Sequence, residues 1–241
     1  MVPYLNITIP VFNEERVLAH SISTLMNFLD SAPQFQFEIV IANNGSTDRT
    51  RLIAEELCRC HSVIRLINIE QSGRGRALKQ AWLGSEAQIL CYMDVDLATD
   101  LSCFWPLVSA LAEGRFDLAT GSRRLKGSMV QRSAKRQLFS DAFHLLVRSL
   151  FSTNLSDTQC GFKAITGKAA NDLLPSVLDT GWLMDTELLI LAERKGYRIF
   201  EMPVVWRAGI ESRVEIGSSV LRCFVGLLYL RCRLAKSFFL R

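Results

Sequence analysis

Three short polar clusters each follow a short apolar run: Asn13-Glu14, Asn43-Asn44 and Asp94-Val95-Asp96. The third carries the sharpest chemistry. Two carboxylates at i and i+2, directly after the apolar run Ile89–Met93, can both reach one hard cation. A cation held there would bridge the phosphates of a nucleoside diphosphate and stabilise it as a leaving group. Taken alone, the same pair also reads as a solvated acidic loop. Gly73-Arg74-Gly75-Arg76 is the next candidate, because free amides and the dipole at a helix start attract an anion. Ala77-Leu78 stands where a dinucleotide fingerprint would place its third glycine, so that fingerprint is a poor match. An ordinary capped helix start is the alternative. His20, His61 and His144 are scattered and give no metal or triad geometry.

The elements that must position these groups follow from hydrophobic periodicity. Leu5–Phe12, Phe37–Ala42, Val63–Ile69 and Ile89–Met93 are short apolar runs that predict strands. Between them, Leu18, Ile22, Leu25, Met26 and Leu29 recur at helical spacing, as do Ile53, Leu57 and Cys60 behind the N-cap candidates Ser46, Thr47 and Asp48. Gly73–Gly84 supplies a third helix. Strand and helix alternate, so a mostly parallel sheet with helices on both faces is expected. Ligands of such sheets bind at the carboxyl ends of the strands, and all three polar clusters fall there. They are expected to face one crevice.

The second half has fewer signals. Phe116–Thr120 predicts a strand, residues 132–151 a helix with Leu138, Ala142, Leu145, Leu146 and Leu150 on one stripe, and residues 157–166 an extended stretch. Asp185–Lys195 predicts a helix, Tyr197–Val205 a strand, and Ser218 onward an amphipathic, Arg-studded helix. We divide the chain into a domain at 1–206 and a C-terminal segment at 207–241. The 241 residues are 49% hydrophobic and 22% charged, as in a globular protein. A net charge of +4 is too modest to predict a nucleic-acid partner, but Arg and Lys crowd into 122–136 and 222–241 and point to a local anionic partner. Seven cysteines form no metal-binding set and fit reduced cytosolic thiols. Residues 1–11 lack the features of a signal peptide, and no run of apolar residues is long enough to span a bilayer.

The order and spacing of Ile9-Pro10-Val11-Phe12-Asn13-Glu14-Glu15, Asn43-Asn44-Gly45-Ser46-Thr47-Asp48, Gly73-Arg74-Gly75-Arg76-Ala77 and Asp94-Val95-Asp96 resemble the family 2 glycosyltransferases of the GT-A (Rossmann-like) fold. Gly121-Ser122-Arg123-Arg124, Lys135-Arg136, Asp157–Lys163, Asp185–Leu189 and Glu201–Trp206 are similar to the branch that acts on polyprenyl (dolichyl) phosphate. The resemblance implies the following roles. Pro10, Phe12, Glu14 and Asn43 border the nucleotide, with Arg76 and Lys79 supporting the donor. Asp94 and Asp96 hold Mg²⁺ or Mn²⁺. Ser122, Arg123, Arg136, Ser140 and Lys163 grip the acceptor phosphate. Asn43 replaces the family's usual Asp, and Ala98 stands where mannosyl members often place a Gln ligand, which favours a UDP-glucose-like donor.

The implied reaction is metal-dependent hexosyl transfer with inversion. A phosphate acceptor is already ionised, its second pKa being about 6, so it needs no general base. Asp157 and Asp185 are therefore orienting groups in this reading and candidate bases in a sugar-to-sugar transferase. That transferase is one alternative; a non-catalytic nucleotide-sugar-binding module is another. The expected setting is peripheral, at the cytosolic face of a membrane, with the last helix lying on lipid, packing on the domain, or meeting a second copy of the chain or a membrane protein.

Overall fold

The computed structural model describes residues 3–31, 35–207 and 216–239, with the side chains at 216–222 and 236–239 outside that description. The apolar runs become β1 (Tyr4–Val11), β2 (Gln36–Asn43), β3 (Ile64–Asn68) and β4 (Ile89–Met93). They alternate with α1 (Leu18–Leu29), α2 (Thr50–Cys60) and α3 (Arg74–Leu83). Then come α4 (Phe104–Ala112), β5 (Leu118–Ser122), β6 (Met129–Gln131), α5 (Ala134–Phe151), β7 (Phe162–Thr166), α6 (Gly167–Leu173), α7 (Met184–Arg194), β8 (Ile199–Pro203), β9 (Val205–Arg207) and α8 (Ile216–Phe239). α2 starts later than Ser46-Thr47-Asp48 suggests, because Asp48 Oδ1 accepts from Thr50 N in a local turn.

Seven strands form one sheet in the order β3-β2-β1-β4-β7-β5-β8, and β6 pairs with β9 in a small parallel ribbon. Every neighbour in the large sheet is parallel except β7, which runs antiparallel between β4 and β5. The expected mostly parallel sheet is therefore borne out. Its register brings the functional segments level: Val11 pairs with Asn43, Asn43 with Asn68, and Thr8 with Tyr92. β1 to β4 all end at one edge.

Alternation along the strands divides the core. Ile7, Ile9, Ile41, Cys91 and Met93 face α1 and α4, which meet them with Ile22, Leu25, Phe104 and Leu107. Leu90, Tyr92, Leu118 and Ile165 face the other way, onto α3, α6 and α7. Each fully buried Leu or Ile stabilises by roughly 1.5–3 kcal/mol. α8 adds Leu227, Leu230 and Leu234 to this second core, and its Arg233 pairs with Glu187 of α7. Gly226 lets it close on Leu183, since a Cβ there would lie 2.7 Å from Leu183 Cδ2. Among the described residues no helix is long and apolar enough to cross a membrane.

Candidate active site

The donor edge is built by turns that lean on one another. Asn13 takes a left-handed conformation (φ 55°), as an Asn tolerates, and turns the chain from β1 toward α1. Its Oδ1 accepts from Thr47 N at 2.7 Å, while Asn13 N donates to Ser46 Oγ at 3.0 Å. Glu14 N donates to Thr50 Oγ1. Phe12 stands exposed just past β1, and Pro10 is half-buried within the strand. Asn43 is buried; its amide donates to Asn68 Oδ1 at 2.9 Å and its side-chain carbonyl accepts from Ser46 N. That pairing uses a donor that an Asp at 43 would lack. Asn44 Oδ1 accepts from Gly73 N at 2.6 Å and so ties this edge to the start of α3.

Asp94 and Asp96 sit in a tight turn after β4. Leu97 N donates to Asp94 O, Ala98 N to Asp96 Oδ1, and Leu97 is left-handed (φ 49°), a conformation that costs on the order of 1 kcal/mol. The turn brings the two carboxylates close together. Asp94 packs on Gly161, where any Cβ would overlap the Asp94 carboxylate. Burial, then the Asp94 charge, pushes the Asp96 pKa up, with Arg136 opposing. Two crowded carboxylates of this kind are hard oxygen donors whose repulsion a divalent cation would relieve, so the residues fit such an ion. Among the described residues no cluster of three His, Cys, Asp or Glu side chains could hold a metal, so two carboxylates are what the chain offers.

Arg74 is the site residue that sequence reasoning passed over. It donates to Asp94 Oδ1 at 2.7 Å and to Asp185 Oδ2 at 2.9 Å, and its guanidinium lies 5.1 Å from the Tyr92 ring centre and 4.8 Å from that of Trp182. Burial would lower its pKa, but Asp94, Tyr92 and Asp185 together raise it. Arg76 and Lys79, expected beside the donor, go elsewhere. Arg76 Nη1 donates to the carbonyls of Gln71 and Ser72, and Lys79 Nζ to the carbonyl of Val177. At 3.6 residues per turn, positions 74 and 79 point about 140° apart, so residues of one basic run cannot all face one ligand.

Arg123 organises the facing wall. Its Nε and Nη2 donate to the two oxygens of Asp157 at 2.7 and 3.0 Å, and it lies over Trp206. Glu201 holds this pair from behind, accepting from Ser156 N, Ser156 Oγ and Asp157 N. Ser122 Oγ shares a hydrogen bond of 2.7 Å with Ser156 Oγ. Burial would raise the Asp157 pKa, yet Arg123 outweighs it and brings it to about 2. The charge of Asp94 acts on Arg123, and that of Arg136, on α5, acts on Asp96. Ser140 lies one turn beyond Arg136 on the same face.

Lys163 requires a correction. Expected at the acceptor phosphate, it is enclosed in the sheet, donating to Cys160 O and Tyr92 OH and pairing with Asp185 at 3.2 Å. It sits on β7, whose alternation points it at the Tyr92–Asp185 pair. Burial would raise the Asp185 pKa, but Lys163 and then Arg74 hold it below the usual carboxylate range.

Comparison with solved structures assigns the fold. Glucosyl-3-phosphoglycerate synthase of Mycobacterium tuberculosis, crystallised with Mn²⁺, UDP-glucose and phosphoglyceric acid, superposes with a TM-score of 0.72 over 95% of this chain and 80% of its own, at 20% identity. The class is therefore the GT-A fold. The sequence pattern described as "Glycosyl transferase family 2" matches residues 6–174, and the chain belongs to that family. Among curated proteins it is 31% identical to the dolichyl-phosphate beta-glucosyltransferase of Homo sapiens, covering 95% of this chain and 75% of that one. It is 35% identical to glycosyltransferase AglD of Haloferax volcanii, over 90% of this chain but only 36% of that protein's length.

Proposed function

We propose that this chain is an inverting hexosyltransferase that carries glucose from a UDP-sugar to polyprenyl or dolichyl phosphate. The names of the human and Haloferax relatives support the reaction class, and the Mycobacterium complex supports a UDP-glucose-like donor. The observation that carries the acceptor assignment is the state of the two acids that would otherwise serve as a base. Asp157 is spent on Arg123, and Asp185 on Lys163, Arg74 and Tyr92. Carboxylates held this low have little affinity for a proton. A sugar hydroxyl would need such a base; a phosphate monoester arrives ionised.

The chain's own groups divide the remaining work. Asp94 and Asp96 are the residues that would hold Mg²⁺ or Mn²⁺. When bound, the ion supplies charge stabilisation to the departing nucleoside diphosphate. Arg123 and Arg136 offset the repulsion between that diphosphate and the incoming phosphate, Arg123 presenting its planar fork from a fixed mount on Asp157. Asn43 and Phe12 border the nucleotide at the ends of β2 and β1, with Pro10 and Glu14 beside them.

The acceptor is a lipid, and the chain has a surface that suits peripheral contact with one. α5 and α8 pack together, and each turns apolar residues outward: Leu138, Phe139 and Leu145 on α5; Phe224, Val225, Leu228 and Tyr229 on α8. The buried free thiols of Cys91, Cys103 and Cys160 support the cytosolic side.

The test is direct. Purified protein is incubated with radiolabelled UDP-glucose or GDP-mannose, a polyprenyl phosphate and Mn²⁺, and the organic phase is counted. Label from UDP-glucose is expected there. Label that enters only a water-soluble sugar acceptor would replace this reading with the sugar-to-sugar one.

A further inference from the structure

A cavity of about 510 Å³ lies behind the acceptor wall, lined by Arg123, Arg124, Gln137, His144, Arg148 and the segment Asn154–Ser156. Gln137, His144 and Arg148 recur at i, i+7 and i+11 on α5 and line it from one stripe, which Asp141 at i+4 shares. Arg136 and Ser140 belong to the neighbouring stripe, about a hundred degrees around the helix, which continues into buried Val147 and Phe151. The cavity is thus next to the proposed acceptor subsite and built from a different helix face.

Its charges are out of balance. Asp157 answers Arg123, and Asp141 answers Arg124 at 2.5 Å while also accepting from Gln137. Among the described residues nothing hydrogen-bonds or ion-pairs with the side chains of Arg148 and His144. The imidazole is half-buried. Burial, then Arg124 and Arg148, lower its pKa; Asp157 and Asp141 oppose them. A cationic hollow that holds an unpartnered imidazole has the donors and the field that an anion needs. Beside it, on the next stripe of α5, Leu138 and Leu145 are 69% and 67% exposed. Free phosphate would give those leucines no partner. A lipid headgroup would, because its acyl chains lie where an apolar ridge can enter.

We propose that this cavity takes the phosphate of an anionic membrane lipid distinct from the acceptor, through Arg124, His144 and Arg148, and so fixes how the protein sits on its membrane. The proposal rests on the peripheral-membrane reading above. It deepens that reading by naming a headgroup class and the residues that select it.

The test uses the full chain and the double substitution His144→Gln/Arg148→Gln, neither residue belonging to the transfer machinery. Sedimentation is compared on phosphatidylcholine vesicles with and without phosphatidic acid. The parent protein is expected to prefer the acidic vesicles, and more so as pH falls below the ordinary histidine range, since the surroundings of His144 lower its pKa. The double variant should lose roughly five-fold in partitioning onto acidic vesicles, with binding to neutral vesicles and transfer to a short-chain acceptor in detergent unchanged. Two results would overturn the headgroup site: unchanged partitioning of the variant on acidic vesicles, or equal loss on both vesicle types. Failure of the parent protein to bind either vesicle would remove the membrane reading itself.

Discussion

Two arginine–aspartate units flank Asp94, and they are built to opposite ends. Arg74 spans Asp94 and Asp185 between two aromatic rings, so its charge is shared with the carboxylate proposed as a metal ligand. Arg123 pairs with Asp157, whose carboxylate also accepts from the amide of Gln159 and whose own amide donates to Glu201. The first guanidinium therefore fixes the geometry of Asp94. The second is aimed by its aspartate while keeping donors to spare. A charge that positions a ligand and a charge that meets a substrate thus differ less in burial than in which partner they are given.

That contrast can be broken experimentally. Asp94→Asn, which keeps the shape of the side chain and removes its charge, should cut transfer roughly 10³-fold with the fold intact by circular dichroism. Arg123→Lys should lower kcat/KM roughly 100-fold and raise KM for the lipid phosphate, because an ammonium loses the bidentate fork. Arg74→Lys should instead weaken Mn²⁺ affinity roughly 10-fold with little change in lipid KM; the same kinetic pattern for both variants would erase the distinction. Gly161→Ala should also act through the metal, displacing Asp94 by the added Cβ, and isothermal titration with Mn²⁺ would measure it.

A further expected effect is on stability. The folded Asp157 pKa of about 2 lies below the ordinary 3.8. A depressed carboxyl contributes stability that is complete above the unfolded pKa and is lost as pH falls through the folded one. Asp157→Asn should therefore unfold about 2 kcal/mol more readily at neutral pH, with the difference closing between about pH 4 and pH 2 in urea titrations.

The first half of the fold was legible because each strand and helix there alternates with its neighbour and the cores of β1, β2 and β4 are apolar runs. The reversal at β7 was not, since an extended stretch of sequence carries no direction. α4 was also missed: Phe104-Trp105-Pro106-Leu107-Val108 is apolar on every side, being packed against the sheet and against Phe28 and Phe35, so it shows no helical period. In the site, Asp94 stood out because it follows a strand, and Arg123 because Gly121-Ser122-Arg123-Arg124 resembles a motif of the family. Arg74 did not, because the partners that give it meaning lie 20 and 111 residues away. Glu201 and Ser156 were hidden for the same reason.

The antiparallel strand has a consequence for how the chain is made. β4 is buried along its whole length, yet its outer neighbour is β7, which emerges from the ribosome about seventy residues later. Until then a five-residue apolar edge with unpaired amides faces solvent. Any shortened version ending before Phe162 would keep that edge open for good, and should collect in inclusion bodies however complete its nucleotide half looks on paper.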